Sequence, residues 1–268
     1  MGVNKVDFAN GETLIDLTSD TVTPQTLVKG VTAHNSKGEQ IIGSLNPEGG
    51  GDDETLKKVV EGGATEIVLP DSVTTIKRYC FRDEKTLIDI RSEGVTSISS
   101  YAFYGCTSLA LTSLPEGVTS IGSYAFRGCT SLALTSLPEG VTSISTSAFY
   151  GCTSLTLMSL PEGVTSISTS AFYGCTSLTL MSLPEGVTSI GISAFYGCTA
   201  LTTLILRRTD AITALGNKSA FALTPIASGT GYIYVPSALL ATYQAATNWS
   251  TYSAQFRAIE DYPEITGG

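Results

Sequence analysis

From residue 93 to 206 the apolar positions of the chain recur with a period of 23 residues. One unit carries Leu109, Leu114, Val118, Ile121, Ala125, Phe126 and Cys129, set among Ser, Thr and Gly. The phenylalanines keep that step at Phe103, Phe126, Phe149, Phe172 and Phe195, and the cysteines at Cys106, Cys129, Cys152, Cys175 and Cys198. A fixed period of this size predicts a stacked array in which each unit covers its neighbour's apolar face. A lone unit cannot stand. Burying one large side chain is worth about 1.5–3 kcal/mol, whereas ordering the backbone costs about 1–2 kcal/mol at every residue. Stacked units share buried faces and backbone bonds, and the two ends of the stack then need capping.

Outside the array the pattern changes. Residues 1–45 do not repeat and predict a small α+β module. Thr13-Leu14-Ile15-Asp16-Leu17 alternates as a strand, and Thr23-Pro24 opens a helix stopped by Gly30. Residues 31–34 and 39–45 read as a hairpin. A module this small is expected to dock on something or to assemble. Residues 46–53 are a linker by composition, followed by a short helix from Asp53. The array is expected over 54–206. Its first repeat is irregular, with Cys80 in the alanine position and Glu84 in the cysteine position. Residues 207–268 predict a helical cap, with a strand at 232–235 and a helix over about 236–247. Trp249, Tyr252 and Phe256 follow at helical spacing. They either plug the open end of the core or form a platform for carbohydrate or peptide.

Cys-x-x-Leu, a short strand ending in Leu-Pro, then Val-Thr-Ser-Ile-Gly and Ala-Phe-x-Gly-Cys recur through this stretch. With these motifs residues 65–206 resemble the BspA-like family of bacterial leucine-rich repeats. The resemblance implies a leucine-rich repeat solenoid, mainly β with short helical turns, right-handed, with a parallel strand ladder on one face. It implies surface adhesion and protein binding, and brings no catalytic residues. Residues 1–45 resemble an N-terminal segment of phage and prophage tail-associated proteins, through Thr13-Leu-Ile-Asp-Leu-Thr, Asp20-Thr-Val-Thr-Pro, Leu27-Val-Lys-Gly, Thr32-Ala-His and Gly43-Ser-Leu45. That implies an attachment segment, a tail or baseplate partner, and host-surface recognition or a structural role at a tail. A bacterial adhesin or secreted interaction protein is the alternative.

Charge narrows the partners. The chain has 268 residues, 15% of them charged, and a net charge of −9. Nucleic acid and anionic membrane surfaces need basic patches and are excluded as expectations. No run of 18 apolar residues is present, so no membrane insertion is expected. The first residues, Met1-Gly2-Val3-Asn4-Lys5-Val6-Asp7, lack the apolar centre of a secretion signal, and Val6 breaks the myristoylation pattern. Synthesis in the cytoplasm without a signal peptide is therefore expected. The final location is a virion or tail if the chain is phage-derived, otherwise extracellular or cell-surface.

Candidate chemistry is sparse. Stacked cysteines about 4.8 Å apart fall within disulfide reach, but an odd number of them with parallel Cβ vectors predicts buried, inert thiols. The row Glu93, Glu116, Glu139, Glu162 and Glu185 supplies one carboxylate per turn, which suits solvated turns better than a calcium site. Two rows are candidate binding surfaces for a protein or cell-surface glycan. The first is Tyr104, Arg127, Tyr150, Tyr173 and Tyr196, each just after a buried Phe; it reads either as contact surface or as plain ring stacking. The second is Leu111, Leu134, Leu157 and Leu180. Strict strand alternation turns it outward as an apolar stripe, whereas a bulge turns it into the core. With one His in the chain and no phosphate-binding loop, neither enzyme nor cofactor nor metal is expected. Homo-oligomerisation stays open.

Overall fold

The computed structural model describes residues 65–69 and 71–265 in full and, before them, the backbone of four strands. These are β1 (Lys5–Asp7), β2 (Thr13–Asp16), β3 (Thr32–His34) and β4 (Gln40–Ile42). The expected linker at 46–53 and the helices expected from Thr23 and Asp53 lie outside the described residues. β1 pairs antiparallel with β2, and β3 with β4, the expected hairpin. β3 also pairs antiparallel with the first strand of the array, β5 (Glu66–Val68), through Ala33 opposite Ile67. The hairpin thus covers the open edge that a stack of parallel strands would leave.

The array is a mostly β leucine-rich repeat solenoid, closed by three ladders. The first runs through the Ser-Ile pairs: β6 (Thr75–Ile76), β8 (Ser97–Ile98) and β9 (Ser120–Ile121), then a bridge from Ile144 to Ile167, then β10 (Ser166–Ile167), β12 (Ser189–Ile190) and β14 (Ala214–Leu215). All pairings in it are parallel. The second joins β5 to β7 (Asp89–Arg91). After a bulged stretch it resumes as β11 (Leu180–Leu183), β13 (Thr203–Leu206), β15 (Tyr232–Val235) and β16 (Phe256–Ala258), again all parallel. The third is built from tight turns, where two or three backbone bonds tie each unit to the next. One such pair is Phe103 N–H to Ala125 O at 2.8 Å and Gly105 N–H to Arg127 O at 2.7 Å. Each turn ends at Gly105, Gly128, Gly151, Gly174 or Gly197, with φ between 69° and 76°, the left-handed region that glycine enters without penalty. That is why Gly holds its place in Ala-Phe-x-Gly-Cys.

Inside, the phenylalanines form one continuous pile. Phe81, Phe103, Phe126, Phe149, Phe172, Phe195 and Phe221 stack with centroids 5.2–5.6 Å apart and planes within 11°. Phe221 belongs to the C-terminal region, so the ladders run across the change of pattern at residue 206. Beyond Phe221 the pile ends. Trp249 and Tyr252 meet that ring at 5.8 and 5.7 Å, and with Phe256 they are buried. Trp249 Nε1–H donates to Thr213 O at 2.7 Å, and the Thr213 N–H donates to the Tyr243 hydroxyl at 2.8 Å, so the polar atoms of the plug are satisfied as burial demands. Two short helices, α1 (Pro225–Ser228) and α2 (Leu240–Ala245), carry this cap. Thr224 caps α1 by accepting from Ala227 N–H at 3.2 Å. The aromatics therefore act as the plug, and no open platform forms.

Candidate functional site

The tight turns position the side chain after each Phe along one flank. There Tyr104, Arg127, Tyr150, Tyr173 and Tyr196 are all half-buried, while the Phe beside each is fully buried. Tyr150, Tyr173 and Tyr196 stack at 4.4 and 4.7 Å with planes 4° and 10° apart. Each ring covers its neighbour's face, so the row shows solvent its edges and hydroxyls. Desolvation, reinforced by the phenols of Tyr150 and Tyr196, raises the pKa of Tyr173 above the ordinary phenol value, so its hydroxyl stays neutral and able to donate at physiological pH.

A second row runs beside the first and was not anticipated from the sequence. Tyr79, Tyr101 and Tyr124 occupy the left-handed position that opens each turn, with φ of 61–63°, where Ser147, Ser170 and Ser193 stand in later units. Tyr101 stacks on Tyr124 at 4.7 Å and tilts against Tyr104 at 5.9 Å. Arg78 and Arg82 join this end of the flank, their guanidinium carbons 4.6 and 5.4 Å from the Tyr79 centroid. The available signal was a Tyr three residues before Arg82, Tyr104 and Arg127, one helical-type turn away.

The leucine row takes the bulged alternative. Leu111, Leu134 and Leu157 lie in the core, and it is Thr112, Thr135 and Met158 that face out. The cause is a bulge. In the first of these units Thr112 and Ser113 both point outward between buried Leu111 and Leu114, so strict alternation fails there. Leu180 is half-buried because Met181 takes the interior position in its unit. Leu111, Leu134 and Leu157 are therefore packing residues, and with Leu180 alone turned outward no exposed stripe forms.

The strand face carries acid instead. Glu93, Glu116, Glu139, Glu162 and Glu185 are all exposed. Arg207 pairs with Glu162, Thr209 donates to Glu185, and Arg91 holds Asp89 at 2.8 Å. A groove of about 440 Å³ on this face is lined by Asp89, Arg91, Glu93, Thr112 and Glu116 among others.

The cysteines are free and buried. Each thiol from Cys106 to Cys198 donates to the carbonyl of a Phe in an earlier unit, for instance Cys129 Sγ to Phe103 O at 2.9 Å. Burial raises the Cys198 thiol to about 12 and pushes Cys129, Cys152 and Cys175 up as well, which suppresses the thiolate that reactivity needs. Among the described residues no group of three His, Cys, Asp or Glu could hold a metal ion, and no helix is long and apolar enough to cross a membrane.

Comparison with known proteins agrees with this architecture. A model of the BspA type leucine-rich repeat region matches in six copies, over residues 61–155 and 96–227. No curated protein matches the chain. Among solved structures, the chain is similar to the T. pallidum Leucine Rich Repeat protein (TpLRR), with 26% identity and a TM-score of 0.52, covering 63% of this chain and 84% of that one. A leucine-rich repeat protein from Eubacterium ventriosum matches with 29% identity and a TM-score of 0.50, covering 60% of this chain and 43% of that one. Taken with the ladders and the phenylalanine pile, these matches make the chain a member of the BspA-type leucine-rich repeat family.

Proposed function

We propose that the chain is a non-enzymatic binding module that meets a protein or cell-surface partner through the tyrosine flank. The observation that carries this reading is the contrast between two adjacent ladders. The Phe ladder is wholly buried, whereas the Tyr and Arg ladder next to it stays half-exposed. Tyr and Arg are the residue types enriched at the centres of protein interfaces. Here the rings are held rigid by stacking, so little rotamer entropy is lost on contact. A surface role also suits the family's association with bacterial interaction modules. The finer assignment, a tail attachment through residues 1–45, rests on the resemblance of that segment alone. The test is the triple change Tyr150→Phe, Tyr173→Phe and Tyr196→Phe, which keeps the rings and removes the hydroxyls. Retention of the chain on cell-surface fractions from growing cells should fall about tenfold, with the thermal midpoint unchanged; unchanged retention would remove the flank from consideration.

A further inference from the structure

Arg127 stands where the units on either side carry Tyr104 and Tyr150. Its guanidinium carbon lies 4.3 Å from the Tyr150 centroid and 5.8 Å from those of Tyr104 and Tyr124. Among the described residues it has no carboxylate partner. By contrast Arg82, Arg91, Arg207 and Arg208 each bridge to an acid, namely Asp83, Asp89, Glu162 and Asp210. Arg82 continues the same stack, 5.3 Å from the Tyr104 centroid. A guanidinium resting on aromatic faces keeps its in-plane N–H edge free, in the fork geometry that matches a carboxylate. In a chain of net charge −9, Arg78 and Arg127 add positive charge to this end of the flank beside the Arg82–Asp83 pair, while the glutamate row lies on the strand face.

The ring geometry narrows the partner further. Tyr101 with Tyr124, and Tyr150 with Tyr173 and Tyr196, cover one another's faces at 4.4–4.7 Å. Within each stack no shared face is left for a sugar ring to lie on. What remains is hydroxyls, guanidinium edges, Ser and Gly, the composition of surfaces that bind protein. We propose that the stretch Arg82, Tyr104, Arg127 and Tyr150 docks an acidic segment of a partner protein. Its carboxylates accept paired hydrogen bonds from Arg127, with Arg82, whose Nε–H is held by Asp83, beside it, and its length follows the row of tyrosine hydroxyls. The proposal rests on the reading of the flank as the binding surface.

The test titrates the full chain into short fluorescein-labelled polyglutamate by anisotropy, with polygalacturonate as a carboxylated glycan for comparison. Arg127→Tyr extends the ring ladder that both neighbouring units carry, so the fold is retained, and its thermal midpoint checks this. Polyglutamate should bind the native chain and be weakened about tenfold or more by Arg127→Tyr, as loss of a charged hydrogen bond requires; added salt should weaken it too. Equal binding by Arg127→Tyr overturns the proposal. So does tighter binding of polygalacturonate than of polyglutamate. Self-association that Arg127→Tyr abolishes also overturns it, because the occupant is then the glutamate row of a second copy. If the three Tyr→Phe changes abolish retention on cell-surface fractions while Arg127→Tyr leaves polyglutamate binding intact, the flank stands and the acidic partner falls. If neither moves, both fall.

Discussion

Residues 136–167 and 159–190 are the same 32-residue sequence set one repeat apart, yet the strand segment Ser-Leu-Thr-Leu-Met-Ser-Leu takes two conformations. In the first copy Leu157 is buried at 1% exposure and Met158 faces out at 59%. In the second, Met181 is buried at 0% and Leu180 turns outward, half-buried. Nothing local can decide between them, so the neighbours do. The first copy follows a unit with Leu134 and Thr135 at the two positions, which puts the leucine in. The second pairs residue by residue with β13, Leu180 opposite Thr203 and Met181 opposite Leu204, and Leu204 is fully buried. With apolar side chains at both positions, Leu-Met can fill the interior either way. Where the two copies meet, this part of the ladder thins to a single bridge between Ser159 and Ser182. The pair acts as an adaptor between the bulged units and the regular sheet at the C-terminal end.

This comparison can be broken in a graded way. The largest effect is expected at Leu134, whose neighbour Thr135 cannot replace it. Leu134→Ala should cost about 2–5 kcal/mol, read from the urea midpoint. Leu157→Ala and Met181→Ala should each cost roughly half of that, because Met158 or Leu180 can swing inward and fill part of the cavity. Peroxide oxidation followed by peptide mapping gives an independent readout. In the native chain Met158 should oxidise readily and Met181 resist, and in Leu157→Ala the protection should pass to Met158. Oxidation of Met158 at its native rate in that variant would show that the two positions cannot exchange. The smallest effect is expected for Met158→Thr, which restores the residue found at Thr112 and Thr135 and should lie within about 0.5 kcal/mol of the native chain.

The sequence and the structure agree most closely where the 23-residue step is strict. The burial of Phe126 and Cys129 and the rigid place of Gly128 follow from equivalent residues stacking on one another. The plug by Trp249, Tyr252 and Phe256 was legible from spacing too, although the helical stretch Trp249–Gln255 that carries the first two is broken at Tyr252, with φ −109° and ψ 18°, and Phe256 opens β16. The orientation of Leu157 against Leu180 could not be read, since identical windows cannot encode different outcomes. On the flank, the row after each Phe was visible. The Tyr101 and Tyr124 row was not, because its place depends on a left-handed turn residue that usually signals Gly or Asn. The isolation of Arg127 from any acid is likewise a fact of three-dimensional neighbours.

The phenylalanine pile is sealed at its C-terminal end by Trp249 and Tyr252, and a hairpin pairs onto its first strand. Growth by addition at either extremity would have to displace a fitted stopper. Duplication of a whole internal cassette meets no such obstacle, and the 32 matching residues have the form such an event leaves behind. Each further cassette would lengthen the tyrosine row by one strand spacing, about 4.8 Å, while Arg82 and Arg127 keep their setting. The length of the row can thus be retuned without rebuilding either end of the stack.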